Sequence, residues 1–224
     1  MKYLSLGQGC QVAMYIRSLL GSEPTGIFDT VVTNFRSVLD ILKTGGFTRS
    51  DFTDQRVFYD PAYHWRGENV SSYTSSWIPD KTLIEHKKHL FISPHYIKLG
   101  EYVAELDNFV SMMNRRLTRF INTIKTHDNV HFIHCVNAQF TQVYIPTKTD
   151  IDDFNNYTKT LNKNIKYKLS IVVHPEHKSI FDEQYEHTAH ADAYYLEYTT
   201  LNTPLRMDWM DSNLNWKDFF KQIA

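Results

Sequence analysis

YVAELDNFVSMMNRRLTRFINTIKTHDNVHFIHC, residues 102–135, carries two patterns back to back. Val103, Leu106, Val110, Met113, Leu117, Phe120 and Ile124 recur every three or four residues, the spacing that keeps one helical face apolar. That spacing predicts a long amphipathic helix. Directly after it, VHFIHC (130–135) is a short apolar run of the kind that buried strands show. A long helix feeding a buried strand is half of a β/α alternation.

The rest of the chain continues the alternation. KYLSL (2–6) reads as a short buried strand, and Val12, Ile16, Leu19 and Leu20 follow at helical spacing with Gly21 as a stop. Phe35, Val38, Leu39 and Leu42 mark a second helix, closed by Gly45 and Gly46. Ile151, Phe154, Thr158 and Leu161 share a helix face, with Asp150, Asp152 and Asp153 in the first turn, where the helix dipole favours acids. YKLSIVVH (167–174) and AYYLEYT (193–199) are further strands, and residues 213–223 form a closing amphipathic helix.

This order predicts an α/β layered domain with a mainly parallel central sheet flanked by helices. The runs at 2–6, 130–135 and 167–174 are expected to be central and adjacent. Residues 51–94 scatter Tyr59, Tyr63, Trp65, Tyr73 and Trp77 among Gly, Ser, Pro and Asp, which reads as a loop-rich aromatic insert rather than a regular layer. With no repeat and no linker, residues 1–224 are expected to form one domain.

Composition narrows the function classes. The 224 residues carry 24 Lys plus Arg against 25 Asp plus Glu, so a net charge of −1 offers no global attraction to nucleic acid or acidic membranes. No apolar run approaches the roughly 18 residues of a membrane span. Gly7, Gln8, Gly9 and Gln11 interrupt the amino-terminal apolar stretch, unlike a signal peptide. Two cysteines, Cys10 and Cys135, make no disulfide framework, which favours a reducing, cytoplasmic setting.

Cys10 is placed for chemistry. SLGQGC (5–10) hands a strand to a helix, and a thiol there meets the positive end of the helix dipole and its unpaired N–H groups. Both favour thiolate, and the same N–H groups can hold an oxyanion. The plain alternative is a small buried hydrophobe, which is also how Cys135, at the end of a buried strand, reads. Gly7 and Gly9 supply two glycines of a dinucleotide loop, but Val12 stands at the third position. There is no Walker sequence. No cofactor is implied.

SLGQGCQVAMYIRSLL (5–20), GIFDTVVTNFRSVLDILKTGGF (26–47), HLFISPHY (89–96), the helix 102–124 and NVHFIHC (129–135) together resemble a family of unknown function described as papain-like cysteine peptidases. The resemblance runs from the first strand to about residue 137. It implies Cys10 as nucleophile, Phe28 and Asp29 as a Phe-Asp element, His95 as the histidine, and Arg115, Arg116 and Arg119 as an Arg-Arg-x-x-Arg-Phe helix. Thr30 and Ile27 stand where the family usually has tryptophan and proline.

A nucleophilic thiol needs a base, and the base an orienting group. His95, on a loop before the long helix, is the first choice and His134 the second; His131 and His134 should face opposite sides of their strand, and His64 belongs to the insert. Asp29 would orient the base or serve as a turn acid. Gly7, Gly9 and Gln11 would supply backbone to an oxyanion or ligand. HPEH (174–177) and HTAH (187–190) match no zinc spacing and read as surface histidines, so no metal is expected.

Arg115 and Arg119 fall on the polar side of the long helix, while Arg116 flanks its apolar seam. With Arg17 they either form a solvated face or grip an anion. The substrate classes in view are peptide, acyl or glycan. Two rival readings remain. One is a sugar-nucleotide-dependent glycosyltransferase using the glycine corner and the arginines, with Trp65, Tyr73 and Trp77 stacking on sugars. The other is a non-catalytic binding module. Papain-like enzymes pack the cysteine helix on an antiparallel sheet, so a parallel, doubly wound sheet would favour the transferase.

Overall fold

The computed structural model describes residues 1–7, 11–21, 25–54, 81–93, 95–136, 143–196 and 213–223. A parallel sheet forms its centre. Strands β1 (Lys2–Ser5), β6 (Asn129–Val136), β7 (Lys166–Val173) and β8 (Asp192–Tyr195) lie in the order β1-β6-β7-β8. Leu4 stands opposite Phe132, and Phe132 opposite Leu169.

The sheet is buried on both faces, which is why its central strands read as unbroken apolar runs. Val130, Phe132 and Val136 join one core with Leu169, Ile171 and Val173. That side is covered by α2 (Phe35–Thr44), α3 (Tyr102–Thr126) and α4 (Lys148–Leu161), through Phe35, Phe120 and Phe154 among others. Ile133, Cys135 and Val172 belong to a second core on the other face, beneath α1 (Gln11–Leu20) and α6 (Asn213–Ile223), with Trp216 fully buried. His131 and His134 accordingly face opposite layers: His131 stacks on Tyr3, and His134 meets the edge of Phe35.

The helix ends follow local chemistry. The Asn34 side chain accepts from the Ser37 N–H at the start of α2, and Gly45 closes that helix with φ +74°. At α4, Thr147 and Asp150 form a reciprocal capping box. Thr147→Ala should lower stability by about 1 kcal/mol, measured by urea unfolding; an unchanged midpoint would mean that Asp150 holds the turn alone.

Two expectations need correcting. β1 is an edge strand, adjacent to β6 but not central. Residues 51–94 are also not simply loop: β3 (Phe52–Thr53), β4 (Ile84–His86) and β5 (Phe91–Ser93) join β2 (Val32–Thr33) in a second, antiparallel sheet ordered β2-β5-β4-β3. Strands of two or three residues are too short to show a period of two. The aromatic part of the insert, from Tyr59 to Trp77, lies outside the described residues. One helix went unread, α5 (Lys178–Gln184), between β7 and β8. Among the described residues no helix is long and apolar enough to cross a membrane.

Candidate functional site

The chain leaves β1 and β6 in opposite directions. β1 runs on to α1 on one face of the sheet, whereas β6 runs on to α4 on the other. Parallel sheets open a crevice beyond the strand ends where adjacent connections diverge in this way, and ligands collect there. Gly7 stands at this point with φ +89°, its N–H donating to Ser5 Oγ at 3.2 Å. Thr33 and Phe28 press against it so closely that a Cβ at Gly7 would sit 2.4 Å from Thr33 Cγ2. Gly9 and Cys10 lie outside the described residues, and Gln11 begins α1.

Around that corner the structure gathers several motifs that are distant in sequence. Phe28 is fully buried with its ring edge-on to Phe120, and Ile27 is fully buried beside it. Asp29 turns the other way. Its Oδ2 accepts from Arg17 on α1 at 2.5 Å and from the Gly26 N–H at 2.7 Å. Burial pushes the Asp29 carboxyl above its ordinary value, and the Gly26 N–H and Arg17 hold it partly back. These contacts are those of a turn acid paired with a cation; none of the described contacts joins Asp29 to His95.

Thr30, next to Asp29, meets the His95 segment. Thr30 Oγ1 lies 2.5 Å from Tyr96 Oη, and Arg116 donates to both hydroxyls while its guanidinium sits over the Tyr96 ring. Arg116 is therefore buried among polar partners rather than solvated. His95, next to Tyr96, is half-buried, and desolvation lowers its affinity for a proton.

His134 is wholly buried at the same end of the sheet. Its Nδ1 lies 3.3 Å from the carbonyl of Leu6, the residue before Gly7, and burial brings its pKa down to about 4. Cys135 is 3 % exposed, and burial pushes its thiol far above the ordinary range.

The other arginines divide. Arg17 and Arg119 line one cavity with Asp29, while Arg115 lies on an open groove of α3 and bonds Ser111. His177 is buried beside Glu176, which corrects its reading as a surface residue. Among the described residues, no three His, Cys, Asp or Glu side chains are grouped to hold a metal.

A model of the family described as "Putative papain-like cysteine peptidase (DUF1796)" matches residues 1–177. No curated protein and no solved structure matches the chain.

Proposed function

Because the chain belongs to this papain-like cysteine peptidase family, we propose that it is a thiol-dependent acyl hydrolase acting on peptide or related acyl substrates from the β1–α1 corner. Cys10 is the nucleophile: its thiolate attacks the acyl carbon, and backbone N–H groups of Gly9, Cys10 or Gln11 receive the oxyanion. The imidazolium of the base protonates the leaving group, and water then cleaves the thioester. The observation that carries the reading is the divergence of the elements that follow β1 and β6, which opens a crevice at Gly7, three residues before Cys10 in the sequence.

His95 is the better base. At a pKa of about 4, His134 is a weak proton acceptor at neutral pH and its ring is sealed in the core. The Thr30–Tyr96–Arg116 cluster positions the His95 backbone against the Phe-Asp element. Asp29 braces α1 through Arg17 and accepts from the Gly26 N–H, which supports the turn-acid reading over the orienting one.

The parallel sheet differs from papain's antiparallel one, so the family's chemistry is carried by residues and not by papain's scaffold. The same sheet would suit a sugar-nucleotide-dependent transferase, a reading for which no comparison speaks. Thiol labelling separates them. An activated Cys10 has a pKa below about 8.5, so iodoacetamide at pH 6–7 should modify Cys10 well ahead of Cys135. His95→Ala should slow that labelling with the melting temperature unchanged. Labelling of Cys10 that rises only above pH 8 would mean an ordinary thiol, and a transferase or a binding module instead.

A further inference from the structure

At the free edge of β1 the fold encloses a cavity of about 130 Å3 between α1 and α3. Lys2, Arg17 and Arg119 border it beside the carboxylate of Asp29. Arg17 uses one nitrogen on Asp29, and Arg119 uses one on the Thr25 carbonyl at 2.8 Å. A guanidinium carries five N–H donors in a planar fork, so each retains donors after its described bond. Among the described residues Arg119 has no carboxylate partner.

The strand contributes as well. Leu6 donates its N–H to Ile133 in β6. Alternate residues of a parallel strand bond to the neighbour, so the N–H groups of Tyr3 and Ser5 turn to the free edge, where both residues line the cavity. The space is ample for one small tetrahedral anion, since about 10–15 Å3 of such volume already admits a water.

We propose that this cavity binds a phosphate-type dianion, either free phosphate or the end of a phosphate monoester, held by Arg17 and Arg119. Arginine forks match the O–P–O edge in bidentate fashion, and two of them converge on this one cavity. The site does not depend on thiol chemistry: Cys10→Ser should leave it intact, so its failure and the failure of the hydrolase reading are distinguishable.

Isothermal titration of the full chain at low ionic strength tests it, with inorganic phosphate, phenyl phosphate and malonate as probes. Phosphate or phenyl phosphate should bind with one-to-one stoichiometry, and which is tighter tells free anion from monoester. Arg119→Gln should weaken binding about tenfold or more, Lys2→Gln should weaken it less, and Arg115→Gln on the outer groove should change nothing. Should Arg119→Gln fail to fold, Arg119→Lys, which keeps the charge and loses the fork, should show the same weakening. No binding of either phosphate at about 10 mM, unchanged binding in the Arg119 variants, or malonate binding as tightly as phosphate would overturn the proposal. The cations would then serve only to blunt an exposed strand edge.

Discussion

Unfolding free energy should collapse between pH 6.5 and pH 4. His86, His131 and His134 are each at most 3 % exposed, and burial brings the pKa of each down to about 4. Each is neutral in the native state and free to charge once the chain unfolds. As pH falls through about 6.5, the unfolded state takes up protons that the native state refuses, so stability declines until the folded pKa is reached. The full contribution is present above pH 6.5.

Burial is the largest cause for each ring, and the bonding differs. His86 Nδ1 accepts from the N–H groups of Lys88 and His89, so a proton there would displace both. His131 has Ser170 on Nε2 and the charge of Lys168 nearby. His134 points Nδ1 at the Leu6 carbonyl, which leaves Nε2 bare inside the core. One such histidine is worth about 3 kcal/mol over the whole window, and three titrating together give a slope of about 4 kcal/mol per pH unit. That rivals the whole stability of an ordinary domain, about 5–15 kcal/mol. Urea titrations at pH 7.5, 6 and 5 measure it. His86→Asn keeps an acceptor for the two N–H groups and should remove about a third of the slope; a stability that stays flat from pH 6.5 to 5 would contradict the burial of all three rings.

Those histidines show what the sequence could and could not tell. The alternation of faces in VHFIHC was legible, because a strand has a period of two, and it correctly parts His131 from His134. The long helix was legible because twenty-five residues sustain its apolar spacing. Its arginines were legible by angle: Arg116 beside the seam is buried, and Arg115 and Arg119 are not. β1 as an edge strand was not legible, since apolar character reports burial and says nothing of how many neighbours a strand has. The small antiparallel sheet was hidden by the shortness of its strands, and Val32 and Thr33 by their place between two helices.

At the candidate site, local signals again carried further than long-range ones. The strand-to-helix order of β1 and α1 could be read locally, with the left-handed turn at Gly7 between them. The pairing of Asp29 with Arg17 could not, because a carboxylate near a catalytic motif is equally able to face a base or a cation. Nothing in the chain announced that Thr30 would meet Tyr96 across sixty-six positions. The role of Thr30 becomes intelligible only there: its hydroxyl pairs with Tyr96 and accepts from Arg116.

The glycine at the corner should tolerate nothing larger. Gly7→Ala places a methyl group 2.4 Å from Thr33 Cγ2 and 3.5 Å from Phe28 Cβ, in a backbone at φ +89° that side chains rarely adopt. Thr33 is fully buried and cannot swing its γ-methyl into solvent. The backbone conformation alone costs about 1–2 kcal/mol and the overpacking about 1–3 kcal/mol, so the loss should reach roughly 2–5 kcal/mol in urea unfolding. The two causes can be separated. Thr33→Ser removes the offending methyl but keeps the hydroxyl that bonds the Asn34 carbonyl. In the Gly7→Ala/Thr33→Ser double variant the steric part should return, about 1–2 kcal/mol of coupling, while the backbone part persists. If Cys10 is the nucleophile proposed above, its labelling by iodoacetamide should slow in Gly7→Ala and recover partly in the double variant. If Gly7→Ala instead unfolds within about 0.5 kcal/mol of the parent, the turn after β1 adapts freely, and a corner that adapts so easily would be a poor frame for a nucleophile.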